Sequence, residues 1–192
     1  MGSGSSPESK QVSNQCAISL GDSFPEGVGG ASPVNQSRFR STTGDRLRIL
    51  ERYHRIAMVG LSADPFRPSH FAAIYLISEG YDVIPVNPRE SQILGRKCYP
   101  SLREIPGPVE IVDIFRDSAA VPGIVEDAIA IGAKVVWMQL GVIHEEAAER
   151  ARVAGLEVVM DRCMKIEHAR FFGGLSTVGM NTAVITSRRR QR

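Results

Sequence analysis

Cysteine is scarce in this chain, long apolar runs are missing and the charges nearly cancel; each shortage removes a class of protein. Cys16, Cys98 and Cys163 are the only 3 cysteines in 192 residues. An odd, sparse set without paired spacing makes neither a disulfide framework nor a zinc site. It suits a reducing compartment, so a cytoplasmic location is expected. No stretch approaches the roughly 18 apolar residues of a membrane span, and no apolar signal region is evident, so no membrane association is expected. The formal net charge is +2, and four arginines near the C-terminus (Arg188, Arg189, Arg190 and Arg192) outweigh it. The body between is slightly acidic, unlike the basic face of a nucleic-acid platform. No nucleic-acid partner is expected, and the basic end reads as a solvated tail.

Residues 1–44 lack any hydrophobic period and contain 20 Gly, Ser or Pro. Such a segment cannot bury enough surface to offset the entropy of ordering it. The expectation is a flexible leader over 1–44, one domain over 45–175 and a tail over 176–192.

What is present is alternation. Short apolar runs at 55–59, 82–86, 109–115, 134–138 and 156–160 read as buried strands, separated by helical patterns that end at Gly80, Gly132 and Gly155. On the first helix Phe71, Ile74, Tyr75 and Ser78 lie three and four apart, which suggests an amphipathic stripe. Strands apolar on both faces, alternating with helices, indicate an α/β fold: a Rossmann-like, doubly wound, five-stranded parallel sheet. Right-handed crossovers favour the strand order 3-2-1-4-5.

Ligands of such sheets sit beyond the carboxyl ends of the strands, where the strand order reverses. The loop after strand one begins Gly60-Leu61-Ser62-Ala63-Asp64-Pro65-Phe66-Arg67-Pro68-Ser69. It occupies the place of the dinucleotide fingerprint but puts Ser62 and Pro65 where glycines belong. Gly60 still permits a tight turn. Backbone N–H groups near Ser62, Ala63 and Ser69, two hydroxyls and Arg67 suit phosphate oxygens. Asp64 opposes phosphate unless it caps backbone N–H groups. Strand two ends Val86-Asn87-Pro88-Arg89, without the carboxylate that NAD-binding domains use for ribose hydroxyls. Arg89 suits a ribose phosphate, a group shared by NADP and coenzyme A. After strand four, Trp137 and Met138 could line a flat base or a thin arm, or could be core, and Gln139 offers polar contact. His144 reads as a helix-cap residue.

The runs Ile56-Ala57-Met58-Val59-Gly60-Leu61-Ser62, Arg67-Pro68-Ser69, Val83-Ile84-Pro85-Val86-Asn87-Pro88, Val112-Asp113-Ile114-Phe115-Arg116, Val136-Trp137-Met138-Gln139-Leu140-Gly141 and Val159-Met160-Asp161-Arg162-Cys163-Met164-Lys165 carry a resemblance. Across roughly 45–170 the chain resembles the small bacterial CoA-binding proteins, stand-alone relatives of the CoA-binding domain of succinyl-CoA synthetase alpha subunits. The resemblance implies coenzyme A along the strand ends, with Gly60, Ser62, Ala63, Arg67 and Ser69 at the phosphates. It places Val86, Asn87 and Arg89 near the ribose phosphate and Ile114, Phe115 and Arg116 beside the nucleotide. Trp137, Met138 and Gln139 would lie toward the pantetheine arm. Relatives that act as ligases use a further domain bearing a phosphorylated histidine and a nucleotide-grasping subunit, so ligase activity by this chain alone is not expected.

Three functions compete: a module that binds CoA or acyl-CoA without chemistry of its own, an acyl-CoA enzyme using Cys163, and an NADP-dependent oxidoreductase. A spacing of five does not put Cys163 and His168 squarely on one helix face, and no hydride-transfer constellation stands out. The module is preferred. The sequence leaves a homo-oligomer or protein partner open.

Overall fold

The computed structural model describes residues 41–173. The tail expected over 176–192 and nearly all of the leader lie outside these residues. Residues 41–44 are ordered, because Thr42 and Asp45 form a capping box that starts α1 (Thr43–Arg52). Thr42 Oγ1 accepts the Asp45 N–H while the Asp45 carboxylate accepts the Thr42 N–H, so two otherwise unpaired helix-end donors are met.

The alternation read from the sequence becomes β1 (Arg55–Val59), α2 (Pro68–Ser78), β2 (Asp82–Val86), β5 (Ile111–Ile114), α3 (Val121–Ala130), β6 (Val135–Met138), α4 (Glu145–Val153), β7 (Glu157–Val159) and α5 (Met164–Phe172). A two-stranded hairpin, β3 (Gln92–Ile93) and β4 (Arg96–Lys97), and a 3-10 turn at Leu102–Glu104 fill the connection between β2 and β5. His144 caps α4, its Nδ1 accepting the Ala147 N–H at 3.2 Å.

The Rossmann-like class holds: five parallel strands stand in one sheet with helices on both faces. The order differs from the expected 3-2-1-4-5. The sheet runs β2-β1-β5-β6-β7, which places the third main strand between the first and the fourth. Right-handed crossovers explain this. The β1-to-β2 crossover carries α2 on the face of Ile56, Met58 and Trp137. The β2-to-β5 connection wraps around the sheet edge, where Val86 pairs with Tyr99, and packs Leu102 and Ile105 on the opposite face. A change of face reverses the direction of winding, so β5 lands on the far side of β1. The reversal point therefore lies between the ends of β1 and β5, whereas the order 3-2-1-4-5 implies a point between the first and fourth strands.

Of the stripe read on α2, Phe71, Ile74 and Ser78 are on its outer side, while Tyr75 packs against the core. Ser69, His70, Ala72, Ala73 and Leu76 face inward, while Phe71 and Ile74 are about half exposed. Two alanines let the helix lie close to the sheet, and the bulkier residues are left outside that contact.

Candidate functional site

Two loops meet at the reversal point. In β1 and β5, Val59 pairs with Ile114, and the Phe115 N–H donates to Val59 O. Gly60 follows with φ +86°, and its N–H donates to Val86 O of β2 at 2.9 Å. A Cβ at Gly60 would stand 2.8 Å from both Phe115 O and Arg116 Cδ. Glycine is thus required twice, for its left-handed backbone and for the close approach of the neighbouring loop.

Beyond Gly60 the loop is held from inside. The Ser62 N–H donates to Ser69 Oγ (3.2 Å), the Asp64 N–H to Ser62 Oγ (3.1 Å) and the Phe66 N–H to Asp64 Oδ1 (2.9 Å). Asp64 therefore caps a backbone N–H, the arrangement that makes it compatible with a nearby anion. Both serine hydroxyls act as acceptors here and keep their own protons to donate. Asn87 clamps the loop to β2: its Nδ2 donates to Leu61 O (2.9 Å) and its Oδ1 accepts the Arg89 N–H (3.0 Å).

These loops enclose a polar compartment of about 430 Å³, lined by Gly60, Ser62, Arg67, Ser69, Asn87, Arg89 and the waist residues Pro68, Phe115, Arg116 and Asp117. Arg67 lies 3.7 Å from Asp64, a solvent-exposed pair of little strength. Arg89 and Arg116 form no ion pair among the described residues, which leaves both guanidinium groups available to an anion. The same four waist residues also wall a second, mostly apolar compartment of about 890 Å³ between α2 and α5, lined by Phe66, Phe71, Val142 and Ile166 with Gln139, Cys163 and Lys165.

The expected site residues divide accordingly. Gly60, Ser62, Arg67, Ser69, Asn87, Arg89, Phe115 and Arg116 come together at the polar compartment, and Gln139 lines the apolar one. Ala63 is exposed beside the loop and lines neither. The side chains of Val86, Ile114, Trp137 and Met138 are buried in the core behind the groove. Trp137 Nε1 donates to Arg162 O at 2.7 Å, satisfying the indole N–H within the fold. A strand apolar on both faces offers no periodicity to tell a core side chain from one at the mouth.

Sequence reasoning missed Phe66, Phe71, Val142, Lys165 and Ile166 as walls, and it missed Asp113. A carboxylate inside the apolar strand Ile111–Ile114 was the available signal. Asp113 is fully buried; its Oδ1 accepts Gln139 Nε2 at 2.7 Å and its Oδ2 has no hydrogen-bond partner among the described residues. Burial pushes the carboxyl up to about 7, and hydrogen bonding from Gln139 and from the Ile114 backbone opposes that shift.

Cys163 stands at the N-cap position of α5 without a side-chain capping bond, and burial pushes its thiol up, against the thiolate a nucleophile needs. His168 shares a 3.0 Å hydrogen bond between Nδ1 and the Tyr75 hydroxyl and packs against Tyr81 and Phe172. It does not line the compartment that holds Cys163. The pair has no catalytic arrangement.

Among the described residues, no helix is long and apolar enough to cross a membrane. Comparison with known proteins gives a consistent set of relatives. The chain is 45% identical over 121 residues to an uncharacterized protein, YneT, of Bacillus subtilis, covering 63% of this chain and 90% of that one. A solved structure of a hypothetical protein from Pyrococcus horikoshii is 43% identical with TM-score 0.68, covering 76% of this chain and 100% of its counterpart. The ADP-forming acetate–CoA ligase II of Archaeoglobus fulgidus is 30% identical over 152 residues, 77% of this chain but only 22% of the ligase. A family model described as a CoA binding domain matches residues 54–169, which include every strand of the sheet and the loops between them. The chain belongs to the CoA-binding domain family.

Proposed function

We propose that this chain binds coenzyme A or an acyl-CoA as a module without ligase chemistry of its own. One observation carries the reading: a cation-bearing polar compartment and an apolar compartment adjoin, sharing Arg116 and its neighbours as a common wall, at the reversal point of a parallel sheet. That sequence of environments matches a ligand with phosphates at one end and a thin, largely apolar arm at the other. Ser62, Ser69, Arg67 and Arg116 would meet the pyrophosphate, and Arg89 the ribose phosphate. The arm would pass Phe115 toward Gln139 and Cys163. NADP shares the phosphates but would set a nicotinamide ring, not a pantetheine arm, in the second compartment.

The matched ligase carries its activity on a chain of which this one spans about a fifth, so that chemistry is not transferred. The raised Cys163 thiol favours binding over acyl transfer.

The test is calorimetric titration with CoA, acetyl-CoA, NADP and NAD, preceded by mass spectrometry of any molecule released on heating. Saturable CoA binding is expected, weakened about tenfold to a hundredfold by Arg116→Ala through loss of a charge-assisted contact. Arg89→Ala should weaken CoA more than 3′-dephospho-CoA. Tight NADP binding without a response to CoA would overturn the proposal.

A further inference from the structure

Asp113 and Gln139 form an unusual pair. Asp113 has one oxygen bonded to the Gln139 amide and one oxygen sealed without a hydrogen-bond partner among the described residues, beneath the compartment that Gln139 lines. Among the described residues Gln139 Oε1 takes no hydrogen bond, and unlike Asp113 Oδ2 it is not sealed in. A primary amide presents an acceptor on one side and a donor on the other, and the partner beneath it decides which side faces out.

We propose that Asp113 and Gln139 are a proton-operated selector between free and acylated ligand. This rests on the coenzyme A reading and names what that site discriminates. With Asp113 ionised, its oxygens can only accept, so Gln139 Nε2 points inward and the Gln139 carbonyl faces the compartment. That surface takes a donor such as the thiol of free CoA. With Asp113 protonated, its O–H donates to Gln139 Oε1, the amide turns over and its NH₂ faces the compartment. That surface takes the carbonyl of an acyl thioester. One proton is exchanged with solvent and no covalent bond to the ligand changes. Asp113 is a positioning residue, acting through Gln139.

The surroundings leave Asp113 as the group that sets this choice. Its strand neighbours in register are Met58 on β1 and Trp137 on β6, neither of them titratable. On the same face, Arg46 of α1 is paired with Glu167 of α5 at 2.9 Å, and His70 of α2 is bonded through Nδ1 to Ser62 O at 2.9 Å. His168 of α5 is bonded to Tyr75. Cys163 feels the Asp113 charge, which raises its thiol further, and Lys165 acts on Cys163 in the opposite sense. Among the described residues no ion pair compensates Asp113, and burial brings its carboxyl up to about 7, where both forms are reached near neutrality.

The test is calorimetry on the full chain with CoA, acetyl-CoA and S-ethyl-CoA, a thioether offering neither thiol nor carbonyl, at about pH 5.5 and about pH 8, on either side of the Asp113 midpoint. The three share every phosphate, so phosphate titration cancels in their ratios. The preference for acetyl-CoA over CoA should be greater at the lower pH by about tenfold, the size of one hydrogen bond exchanged for an unmet one. Each ligand's affinity relative to S-ethyl-CoA should move in the opposite direction. Asp113→Asn should abolish the pH dependence of the ratio. In the wild-type protein the Gln139 side-chain NH₂ resonances should titrate with the same midpoint, which keeps the test open if Asp113→Asn does not fold. A ratio unmoved by pH, a ratio that moves equally in Asp113→Asn, or static Gln139 resonances would overturn the selector while leaving CoA binding intact. Failure of all three ligands to bind would overturn the CoA reading beneath it, and the selector with it.

Discussion

Replacing Gly60 by alanine should damage both stability and binding, and the structure separates the causes. The backbone there has φ +86°, a region that costs an L-residue about 1 kcal/mol. The added Cβ would lie 2.8 Å from Phe115 O and Arg116 Cδ, so each must retreat by about 0.6 Å to reach ordinary contact. Arg116 can swing aside. Phe115 O belongs to backbone anchored by the Phe115 N–H bond to Val59 O and cannot move without disturbing the end of β5. Relieving such a clash costs about 1–2 kcal/mol more, for a total of about 2–3 kcal/mol. Gly80→Ala is the control, because Gly80 has φ +91° and, among the described residues, nothing within 4 Å of an added Cβ. It should lose only the conformational part, about 1 kcal/mol. Urea unfolding should show both midpoints lowered with unchanged slope. Calorimetry should show weaker CoA binding for Gly60→Ala alone, because Arg116 is displaced from the waist. Equal destabilisation of the two variants, or intact CoA binding in Gly60→Ala, would refute the close-approach argument.

Asp113 should also leave a mark on stability. Its carboxyl ionises at 3.8 when exposed and at about 7 in the fold, so the native state holds a proton that the unfolded chain releases. Stability should fall as pH rises from about 4 to about 7, by up to about 4 kcal/mol, and then level off. Urea unfolding of Asp113→Asn should lack that decline, and parallel pH profiles for the two proteins would contradict the burial argument. Glu167→Ala should cost about 3 kcal/mol, since it strands the buried Arg46 guanidinium and also removes the partner of Arg170; thermal unfolding should report the loss. Cys163 should react with iodoacetamide at neutral pH more slowly than an exposed thiol, as followed by mass spectrometry, because burial holds it protonated.

The strands, the helix stops and the loop at Gly60 were readable because each has a local cause: apolar runs of strand length, glycines with left-handed backbone, and a turn directly after a strand. The strand order was not. It depends on which face the β2-to-β5 connection crosses, and nothing in the polar stretch 87–108 reveals that Leu102 and Ile105 pack opposite α2. The polar half of the groove followed from residue chemistry at known strand ends. The apolar half did not, since Phe71 is indistinguishable in sequence from a core residue of α2, while Trp137 and Met138 look equally suited to core and groove. Only the packing of the two faces separates them from the groove: Trp137 lies beneath α2, which Ala72 and Ala73 let approach closely, and Met138 is buried on the opposite face.

Pro68, Phe115, Arg116 and Asp117 wall both compartments, so two rooms adjoin along one groove. A ligand long enough to reach both is a tethered pair of weak binders. Once one end is seated, the other searches a volume set by the tether, and its local concentration far exceeds that in solution. Short fragments, such as a nucleotide or a pantetheine alone, occupy one room and forgo that advantage. Discrimination in such a groove comes from ligand length as much as from any single contact.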